Sequence, residues 1–139
     1  MYLIDTNVVS ETRKKSKANP GVVTFMMRVA AAESPTYLSV ITLGELRRGV
    51  ELIRFRGDFD QAALLESWLE LVLGEYQDRI LTFDADAAQV WGRLRVPDPQ
   101  HELDKQIASI ALVNDLTLVT RNSSDFRGTG VKVFDPFAQ

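Results

Sequence analysis

The chain has 139 residues, of which 45% are hydrophobic and 25% charged, with a net charge of −3 and no cysteine. That length supports a single core without staples, and the near-average composition excludes disordered and fibrous classes. The lack of cysteine removes disulfides, thiolate metal sites and cysteine nucleophiles together.

No apolar run approaches the roughly 20 residues of a membrane span, and the N-terminus has no basic stretch leading into a long apolar run. The cytoplasm is therefore the expected location, with no membrane partner. The acidic balance by itself argues against nucleic acid as a partner. The argument weakens if four acids serve a metal, since the remaining surface then carries about +1. The basic clusters Arg13-Lys14-Lys15 with Lys17, and Arg47-Arg48 with Arg54 and Arg56, read as solvated faces.

In chain order, Tyr2-Leu3-Ile4 runs into Asp5, then Thr6-Asn7 and the apolar pair Val8-Val9. This is the pattern of a short buried strand that ends in a carboxylate. Residues 10–19 are polar, and Pro20 opens a helix. Its Val22, Val23, Phe25, Met26, Met27, Val29 and Ala30 make it apolar nearly all round, part core and part interface. Pro35 stops it. Residues 37–41 form a second strand, and Thr42-Leu43-Gly44-Glu45 carries the Ser/Thr-x-x-Glu signature of a helix start. Leu46, Val50 and Ile53 continue that helix to about Phe55, and Gly57 closes it.

A long helix over residues 58–75 buries Leu65, Trp68, Leu69, Val72 and Leu73. Residues 79–83 form a third strand, and Asp84 caps a helix that Pro97-Asp98-Pro99 ends. Residues 102–114 are helical, 117–120 a fourth strand, 121–125 a polar turn, and 131–134 a last strand after Gly128 and Gly130. Strands alternating with helices imply right-handed βαβ units. The expectation is one three-layer α/β/α domain over residues 1–139, with a central, mainly parallel sheet of four to five strands.

Four acids stand at element ends. Asp5, Glu45 and Asp125 follow strands, so they share the edge where the strands' carboxyl ends open and where such sheets bind ligands. Asp104 opens a helix that runs antiparallel to the strands, so its first turn starts on that same edge. Each acid also has a plainer role. Glu45 can close a capping box with Thr42, Asp104 can sit at the positive end of its helix dipole, and Asp125 can close a turn after Asn122. Asp5 is hardest to explain by packing, because a carboxylate after a buried strand needs a partner.

Four carboxylates gathered closely repel one another unless a cation neutralises them. Mg²⁺ or Mn²⁺ is the expected occupant, being hard and oxygen-loving in a chain with one histidine. The four acids are thus both candidate catalytic residues and candidate metal ligands. Thr6, Asn7, Thr120 and Asn122 are candidates for orienting waters or phosphate oxygens behind them. His101, near Asp104 in sequence, is read as a surface or capping residue rather than a ligand. Phosphoaspartate chemistry is disfavoured: one such phosphatase pattern wants an acid at position 7, where Asn7 stands, and receiver-like domains want paired acids after the first strand.

Several stretches resemble one family. Residues 3–11 (LIDTNVVSE), residues 39–49 (SVITLGELRRG), residues 103–108 (LDKQIA) and residues 118–126 (LVTRNSSDF) are similar to PIN-domain ribonucleases of the toxin–antitoxin type, the VapC and FitB group. Trp91-Gly92-Arg93-Leu94 falls where such toxins carry a similar run. The resemblance covers the chain in order and implies the same four acids. It further implies a metal-dependent endoribonuclease toxin acting on RNA, neutralised by a cognate antitoxin, usually a homodimer, and reaching promoter DNA only through the antitoxin. An alternative within the resemblance is a FitB-type binding module that acts through an antitoxin–DNA complex with little turnover. Residues 10–19 and 58–78 are where target and antitoxin choice is expected to lie.

Overall fold

Five short strands, all parallel, build the sheet in the order β3-β2-β1-β4-β5. They are β1 (Tyr2–Ile4), β2 (Thr36–Ser39), β3 (Ile80–Leu81), β4 (Thr117–Val119) and β5 (Val133–Phe134). The structure is a computed structural model and describes residues 1–138. Side chains alternate across a strand, so β1 sends Leu3 to one face and Ile4 to the other. Leu3 and Leu118 pack with Ile107, Ala108, Ile110 and Ala111, while Ile4, Leu38 and Val119 pack with Val8, Phe25, Leu46 and Leu69. Both faces are covered by helices, which is why these strands read as apolar runs. The expected three layers are present.

Among the described residues six helices surround the sheet: α1 (Thr6–Thr12), α2 (Pro20–Ala31), α3 (Val40–Phe55), α4 (Phe59–Tyr76), α5 (Ala85–Leu94) and α6 (Glu102–Val113). Helices α1 to α4 cover one face, with α5 and α6 on the other. Among the described residues no helix is long and apolar enough to cross a membrane.

Several boundaries differ from the sequence expectation. Helix α1 begins directly after β1, where the sequence shows only a polar run after an apolar pair. Asp5 caps it by accepting from the Thr6 amide, and Val8 and Val9 are its buried face. Two turns are too short for an apolar period to stand out. Strand β2 ends at Ser39 rather than Ile41. The Ser39 hydroxyl accepts from the Thr42 amide, so the helix starts at Val40 and the Thr42–Glu45 capping box does not form. Val40 and Ile41 are β-branched and read equally well as strand. Strands β3 and β5 are two residues each because they are edge strands with one paired neighbour. Phe83 and Val131 leave the ladder and pack against the α5–α6 core.

Helix α2 is less uniformly apolar in place than in sequence. Val22, Phe25 and Val29 are buried, whereas Thr24, Met27 and Arg28 are exposed. Asp84 caps α5 as expected, accepting from the Ala87 amide at 2.9 Å.

Candidate metal centre

Asp5 directly follows β1, and its amide carries the register with β4 one step further by bonding to the Val119 carbonyl. This fixes its side chain at the carboxyl edge. One carboxylate oxygen accepts from the Thr6 amide at 2.8 Å. The other accepts from the Thr120 hydroxyl at 2.7 Å and the Asn7 amide at 3.3 Å. Only 4% of Asp5 is exposed, and burial raises its pKa against the pull of these donors. Asn7 also donates to Thr120 and accepts from the Arg121 amide at 3.0 Å, so it bolts the end of β1 to the end of β4.

Glu45 lies in the second turn of α3. The Thr6 hydroxyl donates to it at 3.0 Å. Behind Thr6 runs a chain of hydroxyls, Thr42 at 3.2 Å and Ser39 at 3.3 Å from Thr42, both fully buried. Burial raises the Glu45 pKa, and the charge of Asp5 adds to it. Asp104 stands in the first turn of α6 as helix direction requires. Its carboxyl is pushed up from 3.8 to about 6, first by burial and then by the charges of Asp5 and Asp125, with a further push from Glu45. Asp125 sits in the 3₁₀ turn Ser123–Phe126 that follows β4. The four acids are thus electrostatically coupled on one edge. No single acid sees the other three through its own sequence neighbourhood.

The remaining sequence candidates fall as follows. Thr6, Asn7 and Thr120 touch the acids directly. Asn122 meets them through its backbone: its amide donates to the Thr120 hydroxyl at 3.1 Å, and its carbonyl accepts from the Asp125 amide at 3.0 Å. His101 makes no capping bond with its side chain. Its ring lies 3.6 Å from Asp104, and one ligand atom each from His101, Asp104 and Asp125 lie within 4.8 Å of one another. His101 is exposed and occupies the N-cap position of α6 through its backbone carbonyl, as the surface or capping reading expects, while its ring faces Asp104. Ser39 and Thr42 were missed as supports for the site. A hydroxyl at the last strand position and another three residues on were the available signal.

A hard divalent cation suits this donor set. The side chains are oxygen ligands with one imidazole at the rim, and the charges of neighbouring acids add to burial in raising the Asp104 pKa.

Comparison with known proteins places the chain. Residues 2–132 match the family described as PIN domain. The chain belongs to the PIN-domain family. The match stops just before β5, which completes the sheet beside β4. Among PIN-domain relatives, the chain is similar to toxin FitB of Neisseria gonorrhoeae, at 33% identity over 99% of both chains. It is also similar to the VapC ribonuclease Y4jK of Sinorhizobium fredii, at 29% identity over 99% of this chain and 98% of the relative. The crystal structure of FitAcB from Neisseria gonorrhoeae superposes with a TM-score of 0.85 at 32% identity, covering all of both chains. The structure of FitAB bound to a DNA fragment gives 0.81 at 30% identity, over 99% and 96%.

Proposed function

We propose that this PIN-domain chain is the toxin of a toxin–antitoxin pair, a divalent-metal-dependent endoribonuclease that hydrolyses RNA phosphodiester bonds. The observation that carries the reading is the Asp104 carboxyl. It sits close enough to Asp5, Glu45 and Asp125 that their charges add to burial in raising its pKa, a crowding of carboxylates that a bound cation would relieve. Similarity to a VapC ribonuclease supports the chemistry.

In this reading Asp5, Glu45, Asp104 and Asp125 hold Mg²⁺ or Mn²⁺. The chemistry such an ion supplies when bound is neutralisation of charge building on the phosphate and acidification of water. The chain's own residues supply position. Thr120 and the Thr6 amide fix both Asp5 oxygens, Thr6 aims Glu45, and Asn7 holds the two strand ends together. Fixed ligands lose little freedom at the moment of reaction.

A cognate antitoxin is the expected protein partner, and promoter DNA is reached through it. The similarity to FitB and to its DNA-bound FitAB complex supports that part. So do the large apolar side chains left exposed on the α3–α4 hairpin, Phe55, Phe59, Leu64 and Leu71. A homodimer in the cytoplasm completes the proposal.

The test is cleavage of total RNA by purified, antitoxin-free protein with Mg²⁺ or Mn²⁺. Cleavage should require the metal and fall at least about a hundredfold in Asp5→Asn, the scale of losing one preorganised charge-stabilising group. Equal cleavage by the variant, or none by either, sinks the hydrolase reading. In the second case the FitB similarity would leave the regulatory module as the better account.

A further inference from the structure

A cavity of about 320 Å³ opens beside the acid cluster, between the α5–α6 connection and the turn after β4. Leu94, Val96 and Pro97 form an apolar wall, and Lys105 and Arg127 supply positive charge. His101 and Asp125 line this cavity and also lie within ligand distance of Asp104, so cavity and acid cluster share a rim.

The distinctive feature is Lys105. It directly follows Asp104 on α6, yet only 7% of it is exposed. Its ammonium donates to the Asp98 carbonyl at 2.6 Å and lies 3.9 Å from a carboxylate oxygen of Asp98, a side chain that is 62% exposed. An ammonium has three donors. Among the described residues only the bond to the Asp98 carbonyl is made at hydrogen-bond distance. A buried cation with idle donors is costly, and tying a loop carbonyl to a helix needs no charge. Lys105 itself lines the cavity.

We propose that this cavity is a nucleotide subsite, holding one nucleotide of single-stranded RNA beside the bond presented to the acid cluster. The base lies against Leu94, Val96 and Pro97, and its acceptors meet Lys105 and Arg127. The substrate class rests on the RNA-hydrolase reading given above; the cavity and its donors do not. The volume is at the small end of ligand pockets, ~300–1,000 Å³, which admits about one nucleotide and is roomier than a lone phosphate needs. The carboxylates of Asp98 and Asp125 on the same lining oppose a bare anion and leave the acceptor edge of a base as the better partner. Unstacked bases read on their edges are the usual basis of sequence choice in RNA.

The test titrates the metal-free, full-length protein with the four nucleoside 5′-monophosphates and with inorganic phosphate, following backbone amide shifts. Shifts should gather on residues 96–105 and 124–129, with at least one mononucleotide binding about tenfold better than phosphate. Losing a charge-assisted hydrogen bond should weaken that binding about tenfold in Lys105→Met and in Arg127→Ala. Lys105→Arg should retain most of it. Arg127 is exposed, so its variant keeps the test valid if Lys105→Met loosens the loop. Shifts elsewhere, phosphate binding as well as any nucleotide, or wild-type affinity in both variants overturns the subsite. Nucleotide binding here without RNA cleavage would instead sink the hydrolase reading and leave the subsite standing.

Discussion

Asp104 shows how a single residue changes meaning between sequence and structure. In sequence it is an acid in the first turn of a helix, a placement that the dipole alone explains. In the fold, burial and three neighbouring acids raise its pKa to about 6. The folded carboxyl therefore holds its proton more tightly than the unfolded one at 3.8. Its contribution to stability is present in full below the unfolded value and is lost as pH rises through about 6. The thermal midpoint of metal-free protein should fall over that window, and Asp104→Asn, which cannot ionise, should flatten the fall. An equally steep fall in the variant would assign the effect to another carboxylate. Proton and metal compete for the same oxygens, so Mn²⁺ affinity by calorimetry should rise through the same window and be lost or greatly weakened in Asp104→Asn. The candidates Asp5, Glu45, Asp104 and Asp125 were legible in sequence as acids at element ends. Their gathering on one edge also followed from helix direction and strand order; the hydroxyls and amides that hold them were not legible, because those contacts run between residues far apart in the chain.

At the scale of elements, the misread boundaries share a cause. Helix α1 and the start of α3 are set by side chains that the local pattern undervalues, the Asp5 carboxylate and the Ser39 hydroxyl, each accepting a helix amide. Apolar periodicity carries little information over so few residues, so capping decides. A second element-level constraint is the packing of the C-terminal 3₁₀ turn Pro136–Ala138 on the first turn of α2. A Cβ on Gly21 would lie 2.0 Å from the Pro136 carbonyl oxygen, a backbone atom that cannot swing away. Gly21→Ala should therefore destabilise by ~1–3 kcal/mol, the range for overpacking, despite alanine's better helix propensity. Urea unfolding midpoints check this, and an unchanged or raised midpoint would mean that the turn moves aside freely.

At the scale of the whole molecule, the five parallel strands open their carboxyl ends on one edge, and α6 begins there. This brings the turn after β4, the end of β1 and the N-terminal turns of α3 and α6 into one centre, with the nucleotide-sized cavity on its flank. The proposed homodimer is argued at this scale. Helix α2 buries Val22, Phe25 and Val29 but leaves Met27 67% exposed and Val23 half-buried, an apolar face not used by the fold. Light scattering at micromolar concentration should give twice the chain mass, and a monomeric mass would count against the dimer.

The sequence by itself determined the layer architecture, because strands buried on both faces must be apolar throughout and helices between them must repeat every three to four residues. It also determined which acids stand at strand and helix ends. Only the tertiary structure decided that Thr120 and Asn7 clamp Asp5, that Thr6 holds Glu45, and that His101 turns toward Asp104. It alone decided that Lys105 is buried in the wall of a cavity. Those facts depend on distances between segments up to 115 positions apart, which strand register and helix packing set and no local pattern encodes.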